Sequence, residues 1–127
     1  MYLPTHAHRK IVRRIVEAPS NAAALGEVRV EEADDGHSAV QAIQSDADFD
    51  LVLIDCIMTT MNGPEAVQIM RGDLKFAGAI IGVTGNALPS DLTFFQQSGA
   101  DAVITKPLTN KKLMDAILIV KRRNSMV

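Results

Sequence analysis

Apolar residues recur at helical spacing along some stretches of the chain and gather into short unbroken runs along others. From Thr5 to Glu17, Ile11, Val12, Ile15 and Val16 fall on one face, and Arg9, Lys10, Arg13 and Arg14 form a wet one, which predicts an amphipathic helix. Thr5 can cap its start, and Pro19 lies just past its end. From Val28 to Ala33, Val28 and Val30 alternate with Arg29 and Glu31, which predicts a short strand. Asp34-Asp35-Gly36 reads as a turn, and His37 to Ser45 as a helix with Ala39, Val40 and Ile43 inward. Leu51 to Ile54 is an apolar run ending in Asp55, and Ala79 to Val83 and Ala102 to Thr105 are runs of the same kind. Runs this short, without polar alternation, predict strands buried on both faces. Gly63 to Arg71, Pro89 to Ser98 and Thr109 to Arg122 predict helices, with Pro64 in a first turn and Gly99 as a C-cap.

Strands and helices therefore alternate. That order predicts an α/β protein with a parallel sheet, right-handed crossovers and helices on both faces. Ligand chemistry in such sheets sits at the carboxyl ends of the strands. Asp55, Thr84 and Lys106 occupy those ends on separate predicted strands.

Composition narrows the class. A chain of 127 residues with 47% hydrophobic content fits one domain, residues 1–127, with a sizeable core. Aromatic residues make up 4% and Trp is absent, so the core is aliphatic. The net charge of -2, from 13 basic and 15 acidic residues, gives no footprint for nucleic acid. Lys121, Arg122 and Arg123 fit the C-terminus of a helix, where cations are favoured. No apolar run reaches membrane-spanning length and the N-terminus lacks a signal-peptide pattern, so no membrane partner and a cytoplasmic location are expected. The single cysteine, Cys56, excludes an internal disulfide and reads as a structural thiol.

The strand-end residues suggest phosphoryl chemistry. A carboxylate can act as a nucleophile and form an aspartyl phosphate. Asp55 equally suits the start of a turn. Thr84 offers a hydroxyl beside the open Gly85, and Lys106 offers a point charge. Together they supply part of what phosphoryl transfer needs, which is charge stabilisation around an in-line displacement.

Asp55-Cys56-Ile57-Met58-Thr59-Thr60-Met61-Asn62-Gly63 resembles the phosphoacceptor motif of response regulator receiver domains, the acceptor modules of two-component signalling. Gly82-Val83-Thr84-Gly85-Asn86-Ala87 resembles the family's switch-hydroxyl segment, and Ile104-Thr105-Lys106-Pro107-Leu108 its Lys-Pro segment. Ala33-Asp34-Asp35-Gly36 resembles the turn after its second strand. The match runs from about His8 to the end, and the wording from Gly82 to Leu88 is closest to receivers of hybrid histidine kinases. The resemblance implies a flavodoxin-like doubly wound parallel sheet. It implies that Asp55 accepts a phosphoryl group from a histidine kinase or histidine phosphotransfer protein. Thr84 and Lys106 would hold the phosphoryl oxygens, and Asp55 with the Ile57 carbonyl would help hold magnesium. Movement of Thr84 toward the phosphate would then shift the fourth helix and fifth strand between two states.

The chain departs from that pattern at its start. In the family an apolar first strand ends in an acidic pair that binds magnesium, whereas here Leu3 and Pro4 align with the pair. The first strand is thus expected to be largely missing and the segment to be an N-terminally truncated or degenerate receiver. Magnesium binding is expected to be weak and phosphorylation slow. The neighbouring strands would have open edges that invite pairing with another chain, including strand exchange in a homodimer. Asp34 and Asp35 belong to a different turn and do not replace the pair. Val103 stands where receivers often carry an aromatic residue, and Thr59 where they often carry Pro.

The alternative is a pseudo-receiver, the same fold acting as a binding or dimerisation module without phosphorylation. An enzyme is not expected. Phosphatases of the haloacid-dehalogenase type need a second Asp two residues after the nucleophile, and Ile57 stands there. A flavin site is poorly supplied with aromatic residues. His6 and His8, two apart, do not share a helix face and read, with His37, as solvated. Met58 and Met61 read as loop packing.

Overall fold

The computed structural model describes residues 2–3, 17–18, 21, 25, 31–32, 36–45, 49–55, 61–85 and 88–125. The predicted helix from Thr5 lies outside them except for Glu17, which sits in a turn. Of the predicted strand from Val28, Glu31 and Glu32 are described.

The strands are β1 (Tyr2–Leu3), β2 (Glu31–Glu32), β3 (Leu51–Asp55), β4 (Ala79–Thr84) and β5 (Ala102–Thr105). The helices are α1 (Gly36–Ser45), α2 (Gly63–Gly72), α3 (Pro89–Ser98) and α4 (Asn110–Ser125). The strands form one sheet in the order β2-β1-β3-β4-β5, and every pairing is parallel. This is the doubly wound flavodoxin-like order, in which the chain reverses direction across the sheet between β1 and β3.

The first strand survives as two residues and takes the central place. Tyr2 pairs with Glu31 on one side and Val52 on the other, and Leu3 pairs with Glu32. The expectation of open edges between β2 and β3 is thus corrected: a short backbone segment bonds to both neighbours. Pairing on the other side of β3 is far more extensive, from Leu51↔Ala79 to Asp55↔Val83.

Side chains alternate between two faces of the sheet. Leu51, Leu53, Ala79, Ile81, Val83 and Ile104 turn one way and pack beneath α4 through Leu113, Ile117 and Val120. Val52, Ile54 and Ile80 turn the other way and meet α1 through Ala39 and Ile43, α2 through Val67 and Met70, and α3 through Phe95. β3 and β4 are buried along their whole length, as their unbroken apolar runs predict.

β5 departs from the prediction. It is partly exposed except at Ile104, because it forms the edge of the sheet. An Ala-Val-Ile-Thr run reads alike in the middle of a sheet and at its rim. Val103 accordingly packs as a partly buried residue on the α3 side.

Candidate functional site

The carboxyl ends of β3, β4 and β5 converge on Asp55, Thr84 and Lys106. Asp55 is the last residue of β3 and is 1% exposed. A carboxylate so deep is costly unless it is paired. Its partner is Lys106, whose Nζ lies 3.0 Å from Asp55 Oδ2. The Lys106 side chain is 29% exposed, so the ammonium reaches in from the rim. Thr84 ends β4 and is 3% exposed. Its carbonyl accepts a 2.8 Å hydrogen bond from the Lys106 N–H, which fixes the base of the lysine against the β4 end. The Lys106–Pro107 peptide is cis. Gly85 follows Thr84 and is exposed. A Cβ there would meet Lys106 Cδ at 3.6 Å, so the lysine stem crosses over Gly85 in ordinary contact.

Two further elements close on the site. α2 opens directly behind Asp55. Asn62 caps it, accepting from the Glu65 N–H at 2.9 Å and donating from Nδ2 to Glu65 Oε1 at 3.0 Å. This reciprocal pairing resembles a capping box. Pro64 occupies the first turn, where a missing N–H costs nothing. Gly63 is obligatory for the close approach, because a Cβ there would lie 2.2 Å from the Asp55 carbonyl oxygen. From α3, the fully buried Phe95 ring presses on β4 at Gly82, where a Cβ would meet ring carbons at 2.7 Å. The same ring comes within 3.0 Å of a Cβ built on Gly63. Phe95 thus spans the space between β4 and the start of α2, behind Thr84 and Asp55. Phe95 does not stand out in the sequence as a site residue, whereas Gly63 closes the phosphoacceptor-like motif without its steric role being legible. The available signal is the pair of glycines at 63 and 82, each required by a neighbour that leaves no room for a side chain.

The opposite pole of the sheet has its own cluster. Arg71 Nη1 donates to the carbonyls of Phe76 and Gly78, both at 2.7 Å, and Nε donates to the Gly99 carbonyl at 3.0 Å. Nη2 meets Asp101 Oδ2 at 2.8 Å, and the same oxygen accepts the Ile80 N–H at 2.8 Å. The guanidinium also stands 5.8 Å from the centroid of the Phe76 ring. These contacts tie the end of α2 to the beginnings of β4 and β5. Sequence patterning places Arg71 at the end of a helix and gives no sign of this role.

Among the described residues the donor set does not suit a divalent cation. Magnesium wants oxygen ligands in octahedral array, with anionic charge to offset its own. Ile57, Asp34 and Asp35 lie outside the described residues, as do Cys56, Met58, His6 and His8. No Asp or Glu precedes Glu17, so no acidic pair follows β1. Among the described residues no group of His, Cys, Asp and Glu could hold a metal ion. His37 is exposed and faces Gln41 at 3.3 Å. Met61 packs against the core beside α1, where a Cβ on Gly36 would meet its carbonyl oxygen at 2.7 Å.

A doubly wound sheet with a buried aspartate, a threonine and a lysine at successive strand ends defines a class, and the chain belongs to it. It is a member of the response regulator receiver domain family, whose model matches residues 6–118. It is 37% identical over 115 residues to the two-component response regulator ORR41 of Oryza sativa subsp. japonica, covering 90% of this chain and 87% of that protein. It is 35% identical over 95 residues to the autoinducer 2 sensor kinase/phosphatase LuxQ of Vibrio vulnificus, covering 75% of this chain but 11% of the kinase. The fold superposes with a TM-score of 0.71 and 22% identity on the receiver domain of sensor histidine kinase PA1611 from Pseudomonas aeruginosa, covering 94% of each chain. That structure holds a magnesium ion in its active-site cleft. The chain is thus a receiver domain of two-component systems, related to those of response regulators and of hybrid kinases. Among its described residues no helix is long and apolar enough to cross a membrane.

Proposed function

We propose that this receiver is a phosphoacceptor and that Asp55 takes a phosphoryl group from a phosphohistidine on a histidine kinase or a histidine phosphotransfer protein. The observation that carries the reading is the convergence of Asp55, Thr84 and Lys106, with Lys106 Nζ 3.0 Å from the acceptor carboxylate. A carboxylate oxygen attacks phosphorus in line. The new P–O bond forms as the P–N bond breaks, and the imidazole leaves with the bonding pair and takes up a proton. The Lys106 ammonium then moves from carboxylate to phosphoryl oxygen, and the Thr84 hydroxyl donates to another. The chain turns over no small-molecule substrate of its own, and the reading places it in the cytoplasm with its donors.

A second reading has its own support. The residues after β1, Pro4-Thr5-His6-Ala7, carry no carboxylate, which favours a pseudo-receiver that binds partners without phosphorylation. Incubation with a phosphorylated histidine phosphotransfer protein, and separately with acetyl phosphate, decides between them by intact mass. A single phosphoryl adduct that Asp55→Asn abolishes is the expected result. A folded chain that gains no adduct from either donor refutes the acceptor role and leaves the binding module.

A further inference from the structure

We infer that the outer ridge of α4 is a self-complementary surface on which a second copy of this chain packs antiparallel. The inference is independent of the acceptor reading.

An α-helix advances about 100° per residue, so positions three, four and seven apart share a face. In α4, Leu113, Ile117 and Val120 fall on one side and pack against the sheet. Lys111, Asp115, Leu118, Ile119 and Arg122 fall on the opposite side and are exposed. Leu118 is 41% exposed and Ile119 51%. Two adjacent aliphatic side chains at the crest of the helix thus leave apolar surface in water. An open groove of about 280 Å³ runs along them, lined by Asp115, Leu118, Ile119 and Arg122.

The charges indicate the occupant. Asp115 lies three residues before Leu118, and Arg122 lies three residues after Ile119. A twofold axis passing between Leu118 and Ile119 therefore sets Asp115 of each copy against Arg122 of the other. Leu118 of each copy then meets Ile119 of the other. Such an isologous contact satisfies both copies at once. A parallel pairing would set Asp115 on Asp115 and Arg122 on Arg122, so the charges select the antiparallel one. Within a copy, Lys111 Nζ stands 3.2 Å from Asp115 Oδ2, and the two side chains are 86% and 58% exposed. The carboxylate is open enough to accept a second cation. In the pair, Lys111 reaches past Arg122 of the second copy toward the C-terminal end of its α4, where a cation is favoured. A membrane surface fits the ridge less well, because anionic headgroups repel Asp115 in its middle.

One stripe of one helix buries far less than a permanent dimer needs, so the association is weak, with a Kd on the order of 100 µM. Sedimentation equilibrium of the chain as it is, from about 10 µM to about 1 mM, brackets that value. The expected result is a monomer–dimer equilibrium that weakens with added salt. Arg122→Glu and Asp115→Lys each bring like charges together at both contacts, and each is expected to weaken self-association at least about tenfold. Mixed in equal amounts, the two variants again set opposite charges at both contacts, and a heterodimer is expected. Both substitutions lie at exposed positions, so thermal midpoints close to that of the parent chain are expected and separate lost association from lost folding. A monomer at every concentration overturns the inference and leaves the ridge to a partner of another kind. A dimer that both reversals leave intact, or variants whose mixture stays monomeric, overturns it as well.

Discussion

Asp55 and Lys106 form an ion pair at the boundary between a dry sheet and solvent, and each depends on the other differently. Lys106 can return to water, whereas Asp55, buried at the end of β3, cannot. Removing the lysine therefore costs more than the pair is worth, because it takes the ammonium from a buried carboxylate. Lys106→Ala is expected to lower unfolding free energy by about 2 kcal/mol in urea denaturation. Adding Asp55→Asn should restore most of that loss, the mark of a coupled pair in a double-mutant cycle. At Gly63 the constraint is steric. Gly63→Ala forces a methyl against the Asp55 carbonyl oxygen, and the helix must back away. A cost of about 2 to 3 kcal/mol is expected in the same assay. Of these residues, Asp55, Thr84 and Lys106 are legible in the sequence because each closes an apolar run. Phe95 is not, because Phe94 and Phe95 stand side by side in a mostly polar stretch and only the fold turns Phe95 inward and leaves Phe94 exposed.

Among the elements, the long apolar runs are the readable ones. Leu51 to Ile54 and Ala79 to Val83 can bury every side chain only between two helical layers, and they do. β5 has the same composition yet lies at the rim, since the order of strands is a property of crossovers and not of any one segment. β1 is harder still. Tyr2 and Leu3 carry no pattern, and their central place comes from pairing with strands far along the chain. The tie between α2, β4 and β5 is also invisible locally, because it joins Arg71 to groups brought near by the fold. Arg71→Ala leaves the Phe76, Gly78 and Gly99 carbonyls and the Asp101 carboxylate without that donor. A loss of about 2 kcal/mol is expected, since charged hydrogen bonds are worth more than neutral ones but this guanidinium is partly solvated. Arg71→Lys should rescue little, because one ammonium cannot span four acceptors. Thermal denaturation checks both.

Across the whole molecule, the two ends of the sheet have separate tasks. Asp55, Thr84 and Lys106 gather where β3, β4 and β5 finish, the place of the proposed chemistry, and the Arg71 cluster fastens the end where β4 and β5 begin. Damage at the fastening end should therefore lower stability while leaving the adduct on Asp55 unchanged at temperatures where the variant is folded. The sheet is also uneven from side to side. β3 and β4 share five paired positions, whereas β1 and β2 share Tyr2↔Glu31 and Leu3↔Glu32. Local opening should be easier where the ladder is short. Hydrogen exchange read by mass spectrometry is expected to show the amides of Val52 to Ile54 and Ile80 to Val83 as the slowest. Glu31 and Glu32 should exchange much faster, and equal protection across β2, β3 and β4 would contradict this account.

The bare backbone at Gly85 also makes the molecule observable. The chain contains no tryptophan, and a Cβ at Gly85 would meet the Lys106 stem at 3.6 Å, in ordinary contact. A lone indole placed there becomes a fluorescent witness to where the lysine points. Its emission should change when the ammonium leaves the aspartate for another anion, so that a spectrometer cuvette could time the event without any label.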